Sequence, residues 1–163
     1  MPADPRPTYD DDFYAWTQDQ ASALRDLAPT LVGNRVDIDH VAEEIEDLGK
    51  RELREVESYL RQLLVHILKL GALPQTQERA HWIAEAEEFQ ARATETFKPS
   101  MRRAMDMQRV WALARRSAVT NVAEMGGDPA DLPTACPFDL DTLVSPEFDL
   151  HAVLAGLRNG RTQ

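Results

Sequence analysis

Apolar side chains recur along this chain at three- and four-residue steps from Phe13 onward, the spacing of a helix that buries one face. Phe13, Trp16, Gln20, Leu24 and Leu27 keep that phase behind an acidic run beginning at Asp10, which suits a helix N-terminus. Pro29 ends the segment. The most legible pattern covers residues 38–70. Asp37 is a good N-cap, and Asp39 places a carboxylate at the positive end of the helix dipole. At about 100° per residue, Ile38, Val41, Ala42, Ile45, Leu48, Leu53, Val56, Tyr59, Leu60, Leu63, Ile67 and Leu70 fall within about 80° of one direction. The phase survives Gly49, which predicts one long helix, and Gly71 and Pro74 then stop it.

A third helix is predicted from Gln77 to Phe97, with Trp82, Ile83, Ala86, Phe89, Ala93 and Phe97 inward. Pro99 closes it and pre-sets the first turn of a fourth, which runs to Glu124 and buries Met101, Met105, Trp111, Ala118, Val119 and Val122. Gly126-Gly127-Asp128-Pro129 reads as its end and a turn. A loop through Cys136 follows, then short helices near 139–145 and 147–157. No segment reads as a strand, and there is no repeat or low-complexity tract. The expected fold is all-α, an antiparallel bundle of about four main helices in one domain over residues 9–158, with the C-terminal loop and short helices packed on it. Residues 1–8, with three prolines, read as a disordered lead-in, and 159–163 as a disordered tail.

Composition narrows the setting. The 163 residues carry a net charge of −10, which disfavours non-specific binding to nucleic acid or to an anionic membrane. No stretch is apolar for the roughly 18 residues that a membrane span needs, and the N-terminus lacks the apolar core of a signal peptide. The single cysteine, Cys136, excludes an internal disulfide and suits a reducing compartment. A cytoplasmic location is the expectation.

Three stretches have a family look. Tyr9-Asp10-x-Asp12-Phe13-x-x-Trp16-x-x-x-Gln20-Ala21, Val41-Ala42-Glu43-Glu44-Ile45-Glu46-Asp47-Leu48-Gly49-Lys50 and Leu64-x-His66-Ile67-Leu68-Lys69 resemble a bacterial family known as domain of unknown function number twenty-nine. Trp82, Pro99-Ser100 and Cys136-Pro137-Phe138 extend the resemblance over nearly the whole chain. It implies a small all-helical fold and brings no activity, cofactor or catalytic residue.

Candidate chemistry is sparse. A di-iron bundle needs Glu-x-x-His on two helices, and this chain has one, Glu78 to His81, with His81 about 140° from the apolar face of its helix. His40 and Glu44 are neighbours four apart on the long helix, and Glu44 and His66 share the shoulder of its stripe. Glu44 and His66 stand about 33 Å apart unless the helix breaks at Gly49, so no metal and no cofactor is expected. No nucleophile elbow or phosphate-cradling glycine loop occurs, and Cys136 has no activating neighbour in sequence.

Two groups of charges stand out. Glu52 lies about 40° from the centre of the long apolar stripe, and Arg115 lies near the apolar direction of the fourth helix. Buried alone each would cost several kcal/mol, which points to an internal pair or to a polar pocket drawn from Glu44, Glu52, His66 and Arg115. Gly49 at the centre of the stripe would let a helix or a ligand approach the backbone. On the outer face of the fourth helix, Lys98, Arg102, Arg109 and Arg116 fall within about 40° of each other. Residues 98–123 balance at +5, so this stripe is either solvated, paired with Glu43, Glu46 and Asp47, or an anion-binding face. The leading functional expectation is a non-enzymatic helical interaction module with a protein partner or self-association. A small-molecule or metal-dependent enzyme using the intra-bundle polar residues is the alternative, and a weak nucleic-acid binder through the basic face is third.

Overall fold

A computed structural model of the chain describes residues 6–31, 33 and 35–159. Residues 1–5 of the expected lead-in and 160–163 of the expected tail lie outside the described residues. Every regular element among those described is helical: α1 (Phe13–Leu27), α2 (Ile38–Ala72), α3 (Arg79–Thr96), α4 (Met107–Glu124), α5 (Leu140–Leu143) and α6 (Leu150–Asn159), with short 3₁₀ turns between them. The fold is all-α, as the periodicity predicts. The described backbone groups into two compact units, one comprising the described residues up to 55 together with 98–105, and the other residues 56–97 and 106–159. The long helix α2 contributes to both.

In the first unit, α1 begins one turn later than the acidic run suggests. Asp12 is its N-cap, and its Oδ1 accepts from the Ala15 amide at 2.9 Å and from the Ser100 hydroxyl at 2.9 Å. Ser100 belongs to the 3₁₀ turn Pro99–Arg103, so this carboxylate ties that turn to the start of α1. Tyr9, Phe13 and Trp16 form an aromatic cluster with centroids 5.0–5.9 Å apart. Against α1 lies the first half of α2. Gly49 is buried there, and a Cβ built on it would come within 2.0 Å of Thr17 Oγ1. The glycine lets the two helix backbones approach at a fully buried threonine. On the surface beside it, Glu46 is shared by Arg25 at 2.6 Å and Lys50 at 3.0 Å.

In the second unit, α2 changes character. Leu63, Leu64, Val65, His66, Ile67 and Leu68 are all buried, so the helix is covered on every side over these turns. The sequence wheel placed only Leu63 and Ile67 of this run inward. The covering comes from α3, α4 and the C-terminal segment. Gln90 of α3 donates to the carbonyls of Leu143 at 3.2 Å and Ser145 at 2.8 Å, which fixes the end of α5. Trp111 Nε1 and Arg115 Nε of α4 donate to the carbonyls of Thr134 at 3.1 Å and Pro133 at 2.9 Å, which pins the preceding loop. Leu157 of α6 packs where a Gly71 Cβ would sit, at 3.3 Å.

The predicted fourth helix divides. Lys98 is extended, as a residue before proline prefers, and Pro99–Arg103 forms a 3₁₀ turn. A new helix, α4, starts at Met107. Asp106 is the reason: its side chain caps Arg109 N at 3.0 Å, and its own amide donates to Glu57 at 3.3 Å. At the other end Gly126, with φ +80°, closes a Schellman motif in which Gly127 N donates to Val122 O at 2.9 Å and Gly126 N to Ala123 O at 3.1 Å. The turn expected at Gly126-Gly127 is therefore the helix end itself.

Candidate functional site

Among the polar candidates, His66 occupies the most constrained position. It is 7% exposed on α2, with Nδ1 2.8 Å from the Gln62 carbonyl and Nε2 2.9 Å from Glu85 Oε2 on α3. A carbonyl only accepts, so Nδ1 carries a proton, and a second proton must lie between Nε2 and the carboxylate. The other Glu85 oxygen faces His81 Nε2 at 3.4 Å, and the Phe89 ring is tilted against His66 at 5.6 Å. One turn along α2, Lys69 Nζ stands 3.9 Å over the Trp82 ring. Burial pulls the Lys69 amine below its ordinary value, partly opposed by Glu85 and Glu78. The sequence offered His66 without its partner, because Glu85 comes from another helix and no spacing within α2 reveals it.

Glu44 is exposed on α2, and the helix runs through Gly49 without the break that a joint site with His66 required. Among the described residues no group of three or more His, Cys, Asp or Glu is arranged to hold a metal ion. Cys136 is half-buried and its thiol donates to the Phe138 carbonyl at 3.3 Å. Burial raises its pKa, which makes it a quiet thiol.

Glu52 and Arg115 find their surroundings in different units. Arg115 on α4 is half-buried and gives its Nε proton to Pro133. Glu52 on the first half of α2 is half-buried, and burial raises its carboxyl above the usual range. Glu55 and Asp12 add to that rise, and Lys98 opposes it. A folded-state pKa above the unfolded value means that the ionised carboxylate opposes folding at higher pH, and protonation removes the penalty. Glu52→Gln is therefore expected to leave the protein equally stable or slightly more stable near pH 7. The difference should vanish in thermal melts by about pH 4, where the native carboxyl is protonated as well. A clear loss of stability at neutral pH would show instead that the carboxylate has a partner it needs.

The basic stripe changes on two counts. Lys98 and Arg102 belong to the 3₁₀ turn and its leading residue, whereas Arg109 and Arg116 belong to α4. The interruption at Asp106 resets the helical phase, so one wheel no longer relates the four. What α4 does present, around Arg116, is a groove of about 400 Å³ lined by Arg61 of α2 and by Leu113, Arg116, Ser117, Thr120 and Asn121. Arg61 did not figure among the sequence candidates, because it belongs to a different helix from the stripe and only the packing of α2 on α4 brings it in.

A final feature is apolar. Val41 and Leu48, two turns apart on the stripe that buries Ile38 and Ala42, are 40% and 41% exposed. Ile45 between them is half-buried. Both had been placed inward by the wheel.

A family model described as "Domain of unknown function DUF29" matches residues 8–149. The chain is also similar to the crystal structure, at 1.45 Å resolution, of an alpha-helical protein of unknown function from Rhodospirillum rubrum ATCC 11170. The two are 32% identical and superpose with a TM-score of 0.86, over 93% of this chain and 98% of the other. No curated protein matches the chain. No helix among the described residues is long and apolar enough to cross a membrane.

Proposed function

We propose that this chain, which belongs to the DUF29 family, is a helical interaction module of the cytoplasm that docks a basic amphipathic helix of another protein on the first half of α2. The observation that carries this reading is the exposure of Val41 and Leu48 on a stripe that buries Ile38, Ala42, Val56 and Leu60. An apolar helix face left open in this way is the surface that helix-in-groove recognition uses, with anchors at i, i+4 and i+7, here Val41, Ile45 and Leu48. The chemistry of the partner follows from the rim. Glu44 flanks these anchors at the shoulder of the stripe and, among the described residues, forms no salt bridge with a lysine or arginine, whereas Glu46 and Asp47 are engaged by Arg25 and Lys50. A second copy docking on the same face would bring its own Glu44 toward this one, so a basic partner suits the rim better than self-association. The cytoplasmic setting rests on the single, quiet cysteine.

The test is a photo-crosslinking residue placed at position 48, with Arg54, exposed elsewhere on α2, as the control position. Adducts at 48 and not at 54 are expected, with a peptide whose apolar residues alternate with Lys or Arg. Glu44→Lys should reduce them severalfold, the size of effect that a rim charge exerts on association. Equal labelling at both positions, or adducts only between copies of the chain, would overturn the proposal.

A further inference from the structure

We propose that the groove between α2 and α4 in the second unit is a binding site for a phosphoryl group, held between Arg61 and Arg116. Arg25, Lys50 and Arg92 are each engaged by a carboxylate, at 2.6, 3.0 and 2.7 Å. The Arg61 and Arg116 guanidiniums form no hydrogen bond or ion pair within the described residues, and no carboxylate lines the groove they share. Two arginines from separate helices thus line one concavity whose wall holds no carboxylate.

The remaining lining fits the same ligand. Ser117 and Thr120 present hydroxyls, and Asn121 adds an amide that donates through its nitrogen. Thr120 spends only a long 3.4 Å contact on the Arg116 carbonyl. Two arginine forks entering from separate helices need an acceptor with more than two oxygens, because a carboxylate is fully used by one fork. A tetrahedral phosphoryl group offers three and can bridge both. The groove, at about 400 Å³, falls within the roughly 300–1,000 Å³ of small-molecule sites, so it has room for an organic body beyond the phosphate. A second groove of about 470 Å³ lies across the Arg116–Thr120 line, with Trp111, Ala112, Val119 and Thr134 supplying apolar and polar walls for such a body.

The test titrates inorganic phosphate, phenyl phosphate and acetate into the full chain at about 0.15 M ionic strength, where loosely held counter-ions are screened. Side-chain Nε–H NMR signals of Arg61 and Arg116 are expected to move with phosphate and to saturate. Arg61→Gln and Arg116→Gln should each weaken binding tenfold or more. Arg109→Gln, an exposed arginine of α4 outside the groove, should leave it unchanged. Tighter binding of phenyl phosphate would identify an ester as the physiological ligand, and equal binding would identify free phosphate; both support the site. Acetate binding as well as phosphate, an equal loss with Arg109→Gln, or no saturable shift at this ionic strength would overturn it.

Discussion

Gly49→Ala is expected to lower the stability of the protein by about 2–3 kcal/mol in urea denaturation followed by circular dichroism, although alanine is the better helix former by about 1 kcal/mol. The new methyl would sit 2.0 Å from Thr17 Oγ1 and 3.2 Å from Thr17 Cβ, with Gln18 Nε2 at 3.3 Å. Thr17 cannot turn away at no cost. It is fully buried, and its hydroxyl donates to the Tyr14 carbonyl at 2.7 Å, so any rotation that relieves the clash breaks that bond. The alternative is for α1 to move off α2, which separates the contact on which the first unit closes. Thr17→Ala by itself should cost about 1 kcal/mol for the lost hydrogen bond. In combination with Gly49→Ala it removes the atom nearest to the new methyl, so the double variant should be more stable than the sum of the two losses by about 1 kcal/mol. Simple additivity would show that the two helices do not meet through these residues.

This glycine also shows what the sequence made legible. Its place at the centre of an apolar stripe announced a close approach by another helix, and the periodicity alone gave α2 to within two residues of its observed end. The fourth helix was misread for an equally local reason. Asp106 stands in a run whose apolar phase allows it to be interior, but its side chain satisfies the Arg109 amide and starts a new helix there. Capping competes with continuation at such a residue, and a wheel contains no term for that competition. The same limitation moved Lys98 and Arg102 off the helix that carries Arg109 and Arg116.

Partners drawn from distant parts of the chain were beyond reach of any periodicity. Arg115 stands out in the sequence as a charge on an apolar face. It is half-buried, and its Nε donates to a backbone carbonyl at Pro133, in the loop that follows α4. Val41 and Leu48 err in the other direction: a wheel ranks a residue by direction and assumes that something covers that direction. Over residues 63–68 of α2 the cover is complete, extending even to Leu64 and Leu68, whereas at Val41 and Leu48 it is not. The difference between a core stripe and a docking stripe lies in what packs on it, and the proposed function rests on that difference.

His66→Ala is expected to cost about 2–4 kcal/mol, and its comparison with Glu85 variants separates packing from the hydrogen bond. Removing the ring empties space beneath Phe89 on a helix turn buried all round, and leaves the Gln62 carbonyl without its extra donor. Glu85 is a milder site, since its side chain is 38% exposed and water can replace part of what it provides. Glu85→Ala should therefore cost about 1–2 kcal/mol, mostly for a buried histidine nitrogen that exchanges its carboxylate partner for water. Glu85→Gln tests the proton between the two groups. A glutamine amide can donate to a neutral Nε2, so the bond survives with its direction reversed, and the loss should stay below about 1 kcal/mol. His81→Ala should change little, because that imidazole is exposed and its 3.4 Å contact with Glu85 is a surface one. The expected order of cost is thus His66→Ala, Glu85→Ala, Glu85→Gln, His81→Ala. If Glu85→Ala and Glu85→Gln proved equal, the hydrogen bond would contribute nothing, and His66 would be held by its packing against Phe89 alone. If His81→Ala proved as costly as Glu85→Ala, the two imidazoles and the carboxylate would act as one unit, with one carboxylate oxygen accepting from each ring.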